Sequence, residues 1–468
     1  MKRTLGDFAH ACGGRLHGAD RTYTTVSTDT RTLSAGELFV ALHGPNFNGN
    51  EFIGAAEKAG AAGAVVDAEQ PVAMSQIVVK DTQAALEKAA QSWRKTYSNP
   101  VIGVAGSNGK TTVKEMTAGI LAQAGDCLAT RGNLNNHIGV PLTLFRLDPA
   151  HRFAVVEMGA NHPGELAALV EIARPTIGLI TNAGAEHLEG FGSLEGAARA
   201  EGEMVAGLEP DATAIINADD EFATLWRGMT RAKIVTFGLE KTADFTAADV
   251  RTDISANGFV TRYTLVSPMG RAPVELKVAG KHNVMNSLCA AAAASAAGVK
   301  LEHIVAGLSA VQAVKGRLQF KKTRNGAWLI DDSYNANPSS VHAGIEVLAQ
   351  LEGRKWLVFG QMGELGEFAN EAHIEIGTYA RTHGIERMFA VGDLAKLTVQ
   401  TFGPGAEWFA DTTTLSQALE AAATADVRLL IKGSRSNRLE RVVEALGAVA
   451  PAAQMTAAPA AQTSRKEG

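Results

Sequence analysis

The sequence predicts an α/β protein of three domains in a row: a small α/β N-terminal domain, a central parallel-sheet domain and a C-terminal Rossmann-like α/β domain. Three observations lead there. The chain has 468 residues, and roughly 150 residues per domain gives three units, each large enough to bury its own core. Short β-rich runs alternate with helical stretches, as in parallel sheets covered by helices. That alternation begins afresh after Lys315, so a second, smaller α/β domain follows the first. Hydrophobic residues are 46% and charged residues 20%, ordinary globular usage, which excludes a wholly disordered, collagen-like or coiled-coil chain.

In order along the chain, residues 1–84 form the first domain. VSTDTRTLSAGELFVAL (26–42) reads as strand, turn, strand, and NEFIGAAEKAGAAGAVV (50–66) as helix then strand. Gly44, Pro45, Asn46, Asn48 and Gly49 supply the loop between them. The second domain, 85–314, is introduced by DTQAALEKAAQSWRKTY (81–97), an amphipathic helix with an Asp or Thr cap. PVIGVAGSNGK, FAVVEMGANH, TIGLITNAG, ATAIINADD and AKIVTFG then end in Gly, Asn or acidic residues, with helical stretches between several of them. In the third domain, 315–450, AWLIDDSYNANP, KWLVFGQMGELG, RMFAVGD and VRLLIKGSRSN repeat the pattern. The stretch 451–468 is rich in Ala, Pro and Gln and is expected to be a disordered tail.

Net charge is −5, so no global basic field is present to hold nucleic acid or an anionic membrane. Anionic ligands must be held by local devices. Cys12, Cys127 and Cys289 are scattered and odd in number, neither a disulfide framework nor a zinc pattern. MKRTLGDFAHACGG lacks the apolar core of a secretory signal, and no apolar run reaches 18 residues. The expectation is a cytoplasmic protein with no membrane insertion. No long exposed heptad or apolar stripe demands a partner, so a monomer is expected.

In open parallel sheets, ligands sit beyond the carboxyl ends of the strands. The polar clusters here follow those ends: Ser107 to Thr112, Glu157, Asn182 to His187, Asp331 to Asn337, Gln361 to Glu364 and Lys432 to Arg435. The first three belong to one domain and the rest to the next. Two sheets facing each other across one cleft is the simplest arrangement.

VIGVAGSNGKTTVKEM (101–116) is the strongest local signal: a β-run, a Gly-rich turn, Lys110-Thr111 and a helix. The N–H groups of such a loop surround phosphate oxygens, and the helix N-terminus adds partial positive charge. Lys110 would neutralise the β/γ-phosphates of a nucleotide, and the Thr111 hydroxyl would reach Mg²⁺. The spacing departs from the usual pattern. Val104 stands where a glycine is expected, and the available glycines are Gly103 and Gly106. The bland alternative is a strand–turn–helix with an exposed lysine.

The segment GSNGKTT resembles the GTNGKTT-type loop of the Mur ligases and folylpolyglutamate synthetases, which make amide bonds using ATP. GNLNNHIGVPLTL (132–144), EMGANHPGEL (157–166), GAEHLEGFGS (184–193), GKHNVMNSLCA (280–290), KGRLQ (315–319) and DDSYNANPSS (331–340) resemble Mur ligase motifs and occur in their expected order. The resemblance runs from about residue 26 to residue 440. It implies a central P-loop ATPase domain and an ATP-dependent ligase in peptidoglycan precursor synthesis, on which cell shape and division depend. The implied partners are UDP-N-acetylmuramoyl-tripeptide and D-alanyl-D-alanine, joined through an acyl-phosphate, with ATP as co-substrate and Mg²⁺ as cofactor. Another amide ligase of the superfamily, such as a folylpolyglutamate synthetase, is one alternative. A non-catalytic nucleotide-binding protein is another.

The resemblance places ATP on Gly106, Ser107, Asn108, Gly109, Lys110, Thr111 and Thr112. It adds Asn283 and Asn286 at the base, Arg317 at the phosphates and Asp332 at the ribose, with Tyr334 shaping that wall. Amide side chains can read adenine's edge, although HNVMN would also cap the helix that follows. Glu157 is implied to bind Mg²⁺ with Thr111, and His187 to bind a second Mg²⁺. Lys110, Glu157, His187 and Glu201 would form the catalytic set. At Glu201 the chain departs from the family, which has a carbamylated lysine there. No lysine occurs from 115 to 232, so a shifted alignment does not restore it. Glutamate supplies the same charge but is three bonds shorter, roughly 3–4 Å at ~1.5 Å per bond. A metal contact through water, a locally closer backbone, or a surface acid are the three readings of Glu201. Arg199 is a candidate to pair with it.

Ser27, Thr28, Asp29, Arg31, Asn46 and Asn48 surround the turn implied to bind the uridine nucleotide, although turns favour these residue types in any case. Asn335, Asn337, Glu364, Lys432 and Arg435 are expected to help hold the substrates from the third domain, although Asn335 and Asn337 also suit a turn before Pro338. Gln361 stands where the family's GDMGELG stretch has Asp.

Overall fold

The computed structural model describes residues 3–255 and 258–450; the stretch 451–468, expected to be a tail, lies outside them. The fold is α/β, with three mainly parallel sheets. The first has five strands in the order Arg15–His17, Gln76–Val78, Gly63–Val66, Leu38–Val40 and Val26–Ser27, all parallel except the Arg15–His17 edge. The expected strand–turn–strand over 26–42 is therefore a pair of parallel neighbours. Helix Thr82–Arg94 follows, with the Asp81 carboxylate accepting the N–H groups of Gln83 and Ala84. This helix sits on the seam between the first two domains. Its Leu86 and Ala89 share one apolar cluster with Leu5 and Phe8 on one side and Leu166 and Leu169 on the other.

The central sheet has six parallel strands: Cys127–Ala129, Phe153–Glu157, Val101–Ala105, Ile177–Ile180, Thr213–Asn217 and Lys233–Phe237. The chain enters at Val101–Ala105, winds one way, then returns to wind the other. That strand is the switch point where such sheets open a ligand crevice. Each of its residues is buried, as expected for a strand covered on both faces.

Within the span 85–314, the strands Thr246–Ser255, Gly258–Ser267 and Gly270–Leu276 form an antiparallel sheet that the alternating pattern does not announce. Helix Lys281–Ala296 lies in one apolar cluster with this sheet and the central sheet, and Ala290 through Ala294 are fully buried. A helical stretch with no polar face, as in this alanine run, packs this way. The tip of the antiparallel sheet reaches the third domain, where Phe259 meets Phe320 edge-on at 5.5 Å.

The third domain's sheet runs Gln319–Lys322, Trp328–Asp332, Val427–Lys432, Arg354–Gly360, Arg387–Val391 and Ala406–Phe409, parallel except for its first pair. The three cysteines are unpaired. Among the described residues no helix is long and apolar enough to cross a membrane.

Candidate active site

The strand ends of the central and C-terminal sheets share a cleft of about 730 Å³. At its floor, strand Val101–Ala105 passes through the glycine-rich turn into helix Lys110–Ala122. Two glycines are indispensable here. Gly106 has φ +121°, and a Cβ on it would lie 2.1 Å from Thr181 Oγ1. Gly109 caps the helix at φ +84°, and a Cβ there would lie 2.5 Å from Asn286 Oδ1. Both conformations are open to glycine and strained for other residues.

The turn is held from below. Gly106 N–H donates to Glu201 Oε2 at 2.6 Å, Ser107 N–H to Asn182 O at 2.9 Å, and Asn108 N–H to Asn182 Oδ1 at 3.1 Å. With those three N–H groups engaged, the donors left to face a phosphate are those of the first helical turn, Gly109 to Thr112. Lys110 Nζ donates to Gly106 O at 2.6 Å and Ser107 O at 3.0 Å, and lies 3.5 Å from Glu186 Oε2. Burial opposes the Lys110 ammonium, but Glu186, Glu201 and Glu157 outweigh it and hold its pKa above the ordinary lysine value.

Beside the lysine, Thr111 donates to Glu157 Oε1 at 3.2 Å, and Asn135 Nδ2 donates to the same oxygen at 3.0 Å. Glu157 is 2% exposed, and its Oε2 is buried with no hydrogen-bond partner among the described residues. A buried, unpartnered carboxylate oxygen beside a hydroxyl and a glycine-rich strand-to-helix turn suits a hard divalent cation such as Mg²⁺, which takes few protein ligands and keeps waters.

The third domain closes the roof. Arg317, over the Tyr334 ring at 4.6 Å, donates to Thr111 Oγ1 at 3.2 Å. Asn337 Nδ2 donates to Asn108 Oδ1 at 2.8 Å, and Asn108 Nδ2 to Ser339 Oγ at 3.1 Å. His187 Nδ1 pairs with Glu364 Oε2 at 2.6 Å. Both of these residues have left-handed backbones, at φ +53° and φ +62°. Strain of this kind persists where the surroundings over-determine it, often at functional sites.

Most expected site residues meet here. Ser107 to Thr112, Glu157, His187, Asn283, Asn286, Arg317, Asp332, Asn335, Asn337, Glu364, Lys432 and Arg435 all line the cleft. Several are occupied with one another. Lys432 Nζ, expected at the dipeptide, is bound to Asp332 Oδ2 at 2.6 Å, and Asp332 Oδ1 accepts Leu318 N–H. Asn283 Nδ2 donates to Ala279 O, and Asn286 Nδ2 to Asn283 Oδ1. Gln361 fastens a turn outside the cleft, its Oε1 accepting Leu394 N–H.

Gly106 and Glu201 are not in the lining. Burial pushes the Glu201 carboxyl up to about 7, against the pull of Lys110 and the Gly106 N–H. Arg199 pairs with Glu195 at 2.7 Å. His187, implied to bind a second cation, and Glu201, implied at a metal, are thus each engaged elsewhere, and among the described residues no group of three or more His, Cys, Asp or Glu is gathered that could hold a metal. A second cation does not fit that pair.

The six first-domain residues lie outside this cleft. Asp29 and Arg31 chelate each other, with the Arg31 hydrogen bonds holding the Asp29 carboxyl down at about 2. Ser27 Oγ accepts Asp29 N–H, and Asn48 Oδ1 caps the short helix Gly49–Phe52. Thr28 and Asn46 stand beside these turns.

Glu186, Asn135 and Ser339 were not singled out by the sequence. Glu186 faces both Lys110 and, through Asn335 Nδ2 at 3.4 Å, the third domain. Its place in the Asn182-to-His187 cluster was the available signal.

Fold and cleft together define a class of α/β enzyme with a glycine-rich strand-to-helix turn set between two domains. The chain belongs to the Mur ligase family. Residues 22–99 match the Mur ligase family catalytic domain, 104–294 the Mur ligase middle domain, and 316–435 the Mur ligase glutamate ligase domain. UDP-N-acetylmuramoyl-tripeptide–D-alanyl-D-alanine ligase of Escherichia coli K12 is 42% identical over 95% of this chain and 98% of its own length. The crystal structure of MurF from Acinetobacter baumannii superposes with TM-score 0.89 at 32% identity, covering 95% of this chain and 99% of that one. MurF ligase from Thermotoga maritima in complex with ADP superposes with TM-score 0.81 at 25% identity, over 90% and 96% of the two chains.

Proposed function

We infer that this chain adds D-alanyl-D-alanine to UDP-N-acetylmuramoyl-tripeptide with ATP, a step in peptidoglycan precursor synthesis. The observation that carries the reading is a phosphate loop on one domain touched by Arg317, Asn337 and Ser339 of another. A cleft so built holds a triphosphate and shields a reactive intermediate from water. It rests within a chain alike along its length to ligases of that name.

A carboxylate is a poor electrophile and needs activation. The terminal carboxylate of the tripeptide attacks the γ-phosphorus of ATP, the bond to the bridging oxygen breaks, and ADP leaves. The neutral amine of D-alanyl-D-alanine then attacks the acyl-phosphate carbon, and the tetrahedral intermediate expels phosphate. Lys110 and the first-turn N–H groups offset charge on the phosphoryl oxygens, where such reactions gain most of their catalysis. Arg317 adds a cation from the opposite wall. Thr111 and Glu157 would hold Mg²⁺, which when bound supplies further charge to the β- and γ-phosphate oxygens. No step is assigned to a second cation. The need for ATP suits a cytoplasmic enzyme, and one chain carries both walls of the cleft, so a monomer suffices.

Phosphate release from ATP is expected only when both UDP-N-acetylmuramoyl-tripeptide and D-alanyl-D-alanine are present. ATP binding without turnover in any acceptor pair would favour a non-catalytic nucleotide-binding protein instead. The contact of Glu364 with His187 joins the two walls, so Glu364→Ala is expected to shift the protein toward an open form. Small-angle scattering would read this as a larger radius of gyration without ligand, and an unchanged profile would count against the contact as a latch.

A further inference from the structure

Glu201 sits on helix Leu194–Ala206, beneath the phosphate loop. The helix lies close to the sheet because small residues allow it: a Cβ on Gly103 or Gly178 would press on the Met204 sulfur at 3.0 and 3.1 Å. This packing carries the Glu201 carboxylate, 8% exposed, up to the end of strand Val101–Ala105. There its Oε2 accepts the Gly106 N–H at 2.6 Å, while Lys110 Nζ holds the carbonyl of the same residue, also at 2.6 Å. Gly106 is gripped on both sides by side chains of opposite charge. Its φ of +121° leaves the N–H pointing at the carboxylate, and a Cβ is excluded by Thr181.

We propose that Glu201 is a positioning residue for the phosphate loop and not a metal ligand: by binding the Gly106 N–H it fixes the loop that receives the nucleotide, with or without a divalent cation. Three observations converge on this. Glu201 is absent from the cleft lining, His187 is engaged by Glu364, and the Glu201 oxygen accepts a 2.6 Å hydrogen bond from the loop backbone. An acid three bonds shorter than the implied carbamate stops at the loop. The turn, in which Val104 stands where a glycine is usual, is held on both sides. Its shape is imposed from outside by Glu201, Asn182 and Lys110.

The proposal rests on the nucleotide reading of the cleft, and ADP binding tests the two separately. ADP affinity would be measured by calorimetry in EDTA and again across a Mg²⁺ titration, for the wild type, Glu201→Ala and Glu201→Gln. Glutamine keeps an oxygen that accepts the Gly106 N–H but is a poor cation ligand. Glu201→Ala is expected to weaken metal-free ADP binding by about tenfold, the upper end of what one buried hydrogen bond contributes. Glu201→Gln is expected to recover most of that loss and to leave the Mg²⁺ midpoint where it was. Unchanged metal-free affinity in Glu201→Ala would overturn the proposal. So would a Glu201→Gln protein whose Mg²⁺ midpoint rises about tenfold. If Glu201→Ala does not fold, the midpoint of Glu201→Gln decides alone. Failure of the wild type to bind ADP in any buffer would overturn the nucleotide reading, and the proposal with it.

Discussion

Replacing Lys110 with methionine is expected to lower kcat/KM for ATP by about 10²–10³-fold, the usual cost of removing one preorganised group that stabilises transition-state charge. The ammonium rests on the carbonyls of Gly106 and Ser107, at the start of the helix that would receive the triphosphate. It is also the shared counter-charge of Glu186, Glu201 and Glu157. Without it, Glu157 and Glu186 face an anionic nucleotide from the cleft lining, with Arg317 as the cation on the opposite wall. Most of the loss is expected in kcat, because phosphoryl transfer builds charge where the ammonium would sit. Steady-state phosphate release at saturating tripeptide and dipeptide checks this. A loss below about tenfold would remove Lys110 from the phosphoryl-transfer step.

Lys432→Met is expected to cost about 3–5 kcal/mol of stability in the C-terminal domain, the range for removing one partner of a buried ion pair. Lys432 and Asp332 are direct neighbours on adjacent parallel strands, joined at 2.6 Å with side chains 3% and 12% exposed. The methionine leaves the Asp332 charge without its partner. Lys432 also donates to Asn335 O at 3.0 Å, so the wall of the cleft loosens at the same time. The double variant Asp332→Asn with Lys432→Met is expected to lose less than the sum of the two single changes, since no charge is then left unpaired. Urea unfolding followed on the C-terminal domain's transition measures all three. Additive losses would show that the pair contributes no coupling.

Much of the architecture was legible because it is written locally. The turn at 106–112 announces itself through glycines that a strand-to-helix reversal needs, and the strand ends of both large sheets carry polar clusters that reappear in the lining. The helix from Thr82 follows from its Asp81 cap. The antiparallel sheet at 246–276 was harder. Phe259 to Val266 alternates as a half-buried strand does, but alternation does not reveal which sheet a strand joins. Gln361, Asp332 and Lys432 show the same limit. Their residue types suit a ligand site, yet each is satisfied by a neighbour at least 30 residues away in sequence.

By itself the sequence determined the three-domain α/β plan, the glycine-rich strand-to-helix turn with Lys110 and Thr111, and the family to which the chain belongs. Those depend on short-range geometry: glycine at positive φ, caps, and runs of period two or 3.6. Only the tertiary structure decided which charges meet. Glu201 stops at Gly106 because the packing of its helix sets how far its carboxylate reaches. Asp332 takes Lys432 because strand order makes them neighbours. His187 takes Glu364 because the C-terminal domain lies over the cleft. A buried charge must find a partner, and which one it finds depends on distances that exist only after the sheets have assembled.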